Sequence, residues 1–179
     1  MTDRDYRVYL KPISEDDADL IVAWRNSESV KKYFIYQGEF THEGQLSWIR
    51  NRVNTGEVIQ FIIIEKTTDK PIGSVFIRDI DPHHNKGEYG IFIGEDEYRG
   101  CGYGSEAAEL IIDHAFNTAG LHRLYLRVLA DNKRAVASYK KVGFVQEGLL
   151  KDDVRINGEY RDIIWMAMIN PNDNGECAG

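Results

Sequence analysis

The sequence is poor in cysteine, in proline and in long hydrophobic runs. Its 179 residues include four prolines and two cysteines, Cys101 and Cys177, which are too few for a disulfide framework. No stretch approaches the roughly eighteen consecutive apolar residues typical of a membrane-spanning helix, and the start, MTDRDYRVYL, contains no apolar stretch of signal-peptide type. We therefore expect a cytoplasmic protein with no membrane partner.

Positive charge is also scarce. The 22 lysines and arginines are outnumbered by 29 aspartates and glutamates, which gives a net charge of −7. Because nucleic-acid phosphates are bound by clustered Lys and Arg, we expect no nucleic-acid partner. An apolar fraction of 42% is enough for one domain with its own core. We assign residues 1–170 to a single domain and 171–179 to a flexible C-terminal tail.

Side chains that bind metals or act as nucleophiles are sparse. His83 and His84 are adjacent, but no third ligand follows at a regular spacing, so no metal site is predicted. Cys101 has no histidine beside it in the sequence, which argues against a nucleophilic thiol.

The chain alternates between strand and helix patterns. Strand patterns occur in YRVYLKPI, VIQFIIIEK, PIGSVFIRDI, residues 88–94, HRLYLRVL and on both sides of the hairpin signal Asn157-Gly158. Helix patterns follow the caps Ser14 and Thr41, the residue Asn26, the glycines near residue 100 and the cap Asp131 or Asn132. Short connections between the central strands predict an antiparallel meander.

The stretch EYRGCGYGSEAAELIIDHAF has glycine at every second position and then runs into a helix pattern. Glycine allows the backbone to approach a ligand closely, and a helix N-terminus offers free N–H groups and positive potential. The combination indicates an anion site, most often for phosphate. A Walker loop is excluded because Ser105 and Glu106 follow Gly104 where that loop has lysine, and the glycine spacing does not match a dinucleotide-binding loop.

Two motifs carry a family resemblance. Arg99, Gly102 and Gly104 form Arg-x-x-Gly-x-Gly, and DNKRAVASYKKVGF supplies Asn-x-x-Ala-x-x-x-Tyr-x-x-x-Gly-Phe downstream. With the order of elements from about residue 6 to 169, they resemble the GCN5-related N-acetyltransferase (GNAT) superfamily. The resemblance implies an α/β fold with a mixed, mostly antiparallel sheet of about seven strands, helices on both faces, and a splayed strand pair that holds coenzyme A.

The resemblance also implies a cofactor site. Acetyl-coenzyme A would be the co-substrate, with its pyrophosphate on main-chain N–H groups of the glycine loop and its pantetheine arm along the strand before the loop. Asn132 would contact coenzyme A, cap its helix, or do both. The expected cofactor contacts are Ile91, Phe92, Ile93, Arg99, Gly100, Cys101, Gly102, Tyr103, Gly104, Ser105 and Asn132.

Acetyl transfer to an amine requires a base and an acid. An alkylammonium group has a pKa of about 10.4 and must lose a proton, whereas a departing thiolate, whose thiol has a pKa of about 8.5, must gain one. Tyr139 matches the family's acid position. Glu88 is the expected base, because in related acetyltransferases a glutamate often opens the corresponding strand; a water relay is the alternative.

The acceptor is less defined. The C-terminal segment is similar to spermidine and to ribosomal-protein alanine N-acetyltransferases, and WRNSESVKKYFIY is similar to acetyltransferases of nucleotide-linked amino sugars. A polyamine would use carboxylates, and an amino-sugar nucleotide would use cations; we lean slightly towards the polyamine. A silent acetyl-coenzyme A-binding module is a further alternative, and we expect a homodimer or higher homo-oligomer. The carboxylate candidates are Glu28, Glu39, Glu43 and Asp79; the cation candidates are Arg25, Lys31, Lys32 and Arg78.

Overall fold

The computed structural model describes residues 5–173; residues 174–179 of the predicted tail, with Cys177, lie outside the described residues. Within this range the α/β fold expected from the sequence is confirmed. The strands are β1 (Val8–Pro12), β2 (Ile59–Glu65), β3 (Lys70–Asp81), β4 (Lys86–Ile93), β5 (Arg123–Leu129), β6 (Val145–Ile156) and β7 (Glu159–Ile169). The helices are α1 (Ala18–Asn26), α2 (Glu28–Lys31), α3 (His42–Trp48), α4 (Tyr103–Asp113) and α5 (Lys133–Lys141).

The seven strands form one mixed sheet in the order β1-β2-β3-β4-β5-β7-β6. Neighbouring strands are antiparallel except for β4 and β5, which are parallel. The predicted meander through β2, β3 and β4 is therefore confirmed. Parallel neighbours need a crossover, and the glycine loop with α4 supplies it.

The parallel strands β4 and β5 stay paired only over a short stretch. Their register runs from Lys86 opposite Arg123 to Glu88 opposite Tyr125. Beyond that pair β4 continues to Ile93 and β5 to Leu129, so the strands separate after Glu88. The splayed pair that the family resemblance implied is confirmed.

Helices cover both faces of the sheet, as expected. Successive strand residues point to opposite faces, and β2 shows this alternation clearly. Ile63 packs in the core beneath α4, with Ile111, whereas Ile62 packs in the core beneath α1, with Ile21 and Trp24. We call these the α4–α5 face and the α1–α3 face.

Local capping and turn chemistry follow the sequence. Ser14 and Asp17 form a capping box, and the Thr41 side chain accepts from the Gly44 N–H. Asn157 and Gly158 have φ of 50° and 86°, as a tight β-hairpin turn requires. Two helices end in a π-helical turn: Ile49–Val53 follows α3, and His114–Thr118 follows α4.

Among residues 5–173, no helix combines the length and the apolar character needed to cross a membrane.

Candidate active site

A cavity of 820 Å³ lies where β4 and β5 separate. Side chains from both faces of the sheet line it, so the cavity passes through the sheet at the gap. From the α4–α5 face it is lined by Gly104, Ser105, Ala108, Ser138 and Tyr139. From the α1–α3 face it is lined by Arg25, Phe34, Phe40, Gln45 and Trp48.

The glycine loop leads into α4 at one end of this cavity. Gly100 and Gly102 have φ of 79° and 94°, which residues other than glycine rarely adopt. Gly102 is the N-cap of α4, and its carbonyl accepts the first bonds, from Ser105 and Glu106. The N–H groups of Tyr103 and Gly104 come before these residues in the chain and have no acceptor within the helix, as is usual for a first helical turn. The loop therefore offers main-chain donors to an anion.

Two arginines that the sequence motifs did not single out flank the loop. Arg7 donates from Nη2 to the Cys101 carbonyl at 3.0 Å and pairs with Glu106. Arg134 places Nη2 3.3 Å from where a Cβ on Gly100 would stand. Among residues 5–173, the Arg134 side chain has no hydrogen bond or ion pair. Main-chain donors together with a free guanidinium fit a diphosphate group.

The Arg99 side chain bonds to other groups of the protein. Its Nε donates to the Ile93 carbonyl at 2.9 Å, Nη1 to the Ser29 carbonyl at 3.0 Å, and it pairs with Asp96. The guanidinium thus fixes the end of β4 against α2. The motif alone does not reveal this use of the side chain within the protein.

Alternate residues of β4 turn their main chain towards the gap. The Gly94 N–H donates to the Ile72 carbonyl of β3 at 2.8 Å. Because bonded and unbonded pairs alternate along an antiparallel ladder, Phe92 is bonded to Ser74 of β3, whereas Ile91 and Ile93 turn their N–H and C=O groups towards the gap. The Phe92 main chain is therefore bonded to β3, and its ring packs on the α1–α3 face and lines the cavity; its contact with the cofactor stays a prediction.

Tyr139 reaches the cavity from α5, whose N-cap is Asn132. The Asn132 Oδ1 accepts from the Ala135 N–H at 3.2 Å, so the predicted capping role is confirmed. The Tyr139 ring is half-buried and lies edge-on to Tyr89, with centroids 6.0 Å apart. Burial raises the pKa of Tyr139 to about 12, so the phenol keeps its proton at neutral pH.

Tyr89 is a site residue that the sequence motifs missed. It lines the cavity beside Tyr139, and its hydroxyl is buried with no hydrogen-bond partner in the described part of the chain. Burial raises the pKa of Tyr89 well above its ordinary value, so it too stays protonated. The available signal was strand alternation, which places residue 89 on the same face as 91 and 93.

Glu88 stands at the point where the strands separate, on the α1–α3 face. Arg127 donates to it twice, Nε to Oε1 at 3.0 Å and Nη2 to Oε2 at 3.1 Å, and Arg78 Nε donates to Oε2 at 3.2 Å. Burial by itself raises the pKa of Glu88, but the bond from Arg127 and the charges of both arginines outweigh it. The pKa therefore lies below its ordinary value, and the carboxylate is ionised at neutral pH.

Some of the residues proposed for acceptor binding line the cavity, and others do not. Of the proposed carboxylates, Glu39 lines the cavity, and Glu28, Glu43 and Asp79 do not. Of the proposed cations, Arg25 and Arg78 line it, and Lys31 and Lys32 do not. Arg127 also lines the cavity, so this end has three arginines where the sequence had singled out two.

Within residues 5–173, no group of three or more His, Cys, Asp or Glu side chains could hold a metal ion. His84 instead directs Nδ1 to Asp81 Oδ2 at 2.8 Å.

A splayed strand pair, an anion-binding loop and a buried phenol define an acyltransferase site for a coenzyme A thioester. Residues 7–145 match the family model of the acetyltransferase (GNAT) domain, and the chain belongs to this family. It is an N-acetyltransferase that uses acetyl-coenzyme A as co-substrate.

Two relatives and one solved structure illustrate the likeness. The chain is 30% identical to spermidine N(1)-acetyltransferase of Escherichia coli K12, covering 91% of this chain and 86% of the relative. It is 27% identical to the spermidine N(1)-acetyltransferase of Vibrio cholerae, covering 89% and 91%. The crystal structure of Vibrio cholerae spermidine N-acetyltransferase with CoA and spermine superposes with a TM-score of 0.85 at 24% identity, covering 92% of this chain and 96% of that one.

Proposed function

We propose that this enzyme acetylates a primary amine of a small molecule, with the acceptor entering from the α1–α3 face and acetyl-coenzyme A from the α4–α5 face. The observation that carries the proposal is the cavity through the sheet. It brings Glu88 from one face and Tyr139 from the other to the same gap between β4 and β5. An acid and a proton acceptor on opposite sides of a gap suit a reaction in which both partners exchange protons.

The chain's own groups would hold the co-substrate in two places. The loop N–H groups from Gly100 to Gly104 and the Arg134 guanidinium would bind the diphosphate. The main-chain groups of Ile91 and Ile93 would bind the extended arm in the manner of an added strand.

The proposed chemistry conserves protons. Acetyl-coenzyme A supplies the acetyl group as a thioester, so that a C–N bond forms as the C–S bond breaks. Glu88, held ionised, receives the first proton of the ammonium group through water and later releases it to solvent, and the second proton that the nitrogen loses as the amide forms passes through water to solvent. Tyr139, held protonated, donates to the departing sulfur and later regains a proton from solvent.

A variant of Glu88 tests this role. Glu88→Gln is expected to lower kcat/KM most at acidic pH, where the amine is fully charged, and to approach the wild-type rate at high pH, where neutral amine is abundant. Because the folded-state pKa of Glu88 is lowered, its ion pairs stabilise the fold above the unfolded carboxyl's pKa of about 4.3 and are lost as pH falls through the folded pKa. The stability difference between wild type and variant should therefore shrink in acid.

Glu65→Gln is the matched control for Glu88→Gln. Glu65 is as buried as Glu88, with 5% and 4% of each residue exposed, but it accepts from Thr67 and Thr68 at a turn that does not line the cavity. Its variant should keep the wild-type pH profile of kcat/KM. If Glu88→Gln also keeps that profile at every pH, Glu88 does not take part in proton transfer.

The acceptor class follows from two different observations. The names of the relatives support a polyamine of spermidine type, for which Glu39 is available at the cavity. The arginines of the α1–α3 end favour an anionic acceptor such as a nucleotide-linked amino sugar. A protein N-terminus remains an alternative acceptor. A silent binding module would bind acetyl-coenzyme A but release no thiol with any amine.

We also propose a homo-oligomer in the cytoplasm. The edge strand β6 is exposed over most of its length, and Val145, Leu149 and Leu150 expose 66%, 44% and 40% of their surfaces. An exposed edge strand can pair with another chain, and exposed apolar patches mark interaction sites; one Vibrio cholerae relative has a structure described as dodecameric. Sedimentation at micromolar concentration is expected to give a dimer or larger assembly; a monomer would contradict this part of the proposal.

A further inference from the structure

Arg25 of α1 is a buried cation whose Nε lacks a partner. The residue is 8% exposed, and its Nε is buried without a hydrogen bond to any described residue. The guanidinium carbon lies 3.4 Å from the ring centre of Phe34 and 4.5 Å from that of Phe40. The two rings favour a cation, but they accept none of its hydrogen bonds. Arg25 also lines the cavity.

The groups around Arg25 do not neutralise it. Burial and the positive charge of nearby Arg78 lower the pKa of Arg25 to about 10, which still leaves it protonated at neutral pH. The carboxylate of Glu88 is already shared by Arg78 and Arg127. This end of the cavity is therefore lined by three guanidinium groups, the buried carboxylate of Glu88 and the exposed carboxylate of Glu39.

A second unpartnered donor lies in the same cavity. Gln45 of α3 is 4% exposed, and its Nε2 is buried without a partner in the described part of the chain. Buried donors normally have partners, because an unmade bond costs most of the group's desolvation. Two residues with unpaired donors thus line one cavity that also carries an excess of positive charge, and this combination is the complement of an oxyanion.

We propose that Arg25 and Gln45 form an anion subsite for the acceptor, so that the amine substrate carries a phosphate or carboxylate group. This inference rests on the proposed function and deepens it: the subsite binds the anionic part while the amine lies at Glu88. It favours an acceptor bearing both charges over a polyamine, which has no anionic group for the subsite.

Matched pairs of amines test the subsite. Thiol release is measured with glucosamine 6-phosphate against glucosamine, with β-alanine against propylamine, and with spermidine. In at least one pair, the wild type should have a kcat/KM that is ~10- to 100-fold higher for the anionic amine than for the neutral one. This factor is the typical contribution of a hydrogen bond to a charged group. The phosphate and carboxylate pairs distinguish the two sources of the anion.

Arg25→Met removes the charge and keeps an apolar side chain between the rings. Its KM for the anionic amine should rise ~10- to 100-fold with kcat nearly unchanged, and Arg25→Lys should recover part of the loss. Because an unpaired buried charge is removed, the Tm of the variant should rise. Arg50→Met, which breaks an exposed pair with Glu15, is the control and should change neither KM nor Tm appreciably.

The outcomes separate the subsite from the proposed function. Equal kcat/KM within both pairs, a clear preference for spermidine that survives Arg25→Met, or a fall in Tm with unchanged KM would overturn the subsite alone. If no amine is acetylated, the proposed function fails, and the subsite is tested by heat denaturation with saturating coenzyme A. Glucosamine 6-phosphate should then raise the Tm of the wild type but not of Arg25→Met; an equal effect on both proteins would overturn the subsite.

Discussion

Tyr139→Phe is expected to lower kcat by ~10²- to 10⁴-fold, the usual contribution of general acid catalysis, while acetyl-coenzyme A affinity changes little. The substitution removes the hydroxyl but keeps the ring, which packs edge-on against Tyr89 and Phe144. Because α5 is held by its cap and by this ring packing, the fold should be unaffected. Steady-state kinetics give kcat, and calorimetry gives the affinity for the co-substrate.

Tyr89→Phe is the informative comparison for Tyr139→Phe. The Tyr89 phenol lies in the same cavity, is equally protonated at neutral pH and lacks a hydrogen-bond partner among residues 5–173. If Tyr139 is the donor, Tyr89→Phe should retain most of the activity. A large loss in Tyr89→Phe together with a loss below about fivefold in Tyr139→Phe would assign the proton donor to Tyr89 instead.

Gly102→Asp is expected to abolish measurable acetyl-coenzyme A binding. Residue 102 has φ of 94°, and a Cβ there would stand 3.0 Å from Arg7 Nη2. A carboxylate at the N-cap of α4 would occupy the place of the diphosphate and repel it. Isothermal titration calorimetry of the folded variant measures the loss.

The control for Gly102→Asp is a substitution that causes similar backbone strain at a site outside the cavity. Gly56 has φ of 81°, and a Cβ there would meet no atom within 4 Å apart from those of its chain neighbours. Gly56→Asp should therefore cost a similar ~1–2 kcal/mol of stability and leave acetyl-coenzyme A affinity unchanged. If folded Gly102→Asp keeps its affinity for acetyl-coenzyme A, the diphosphate does not bind at the glycine loop.

Motifs that are local in sequence were predictable. The glycines that bare the start of α4, the cap Asn132 and the phenol of Tyr139 lie within two short segments, where spacing alone fixes their relation to a helix. The splayed pair was predictable because a family pattern carried it. Each of these features depends on contacts between near neighbours in the chain or on a shared order of elements.

Features that depend on strand register were not predictable. The partners of Glu88 come from β3 and β5, 10 and 39 residues away, and only the register places both arginines on one carboxylate. Which residues of β4 turn their main chain towards the gap depends on register in the same way, since alternation of bonded pairs along β4 needs a known partner residue. The burial of Arg25 between Phe34 and Phe40 depends on how the segment after α2 folds back over α1.

The cavity between β4 and β5 is, on this interpretation, the place where an acetyl group passes from acetyl-coenzyme A to an amine. The most direct measurement is release of free thiol from acetyl-coenzyme A by the wild-type protein over a panel of cationic, neutral and anion-bearing primary amines, with mass spectrometry of the products. We expect thiol release that requires an amine and yields its N-acetyl derivative in equal amount. Tight binding of acetyl-coenzyme A with no amine-dependent thiol release across the panel would contradict this function.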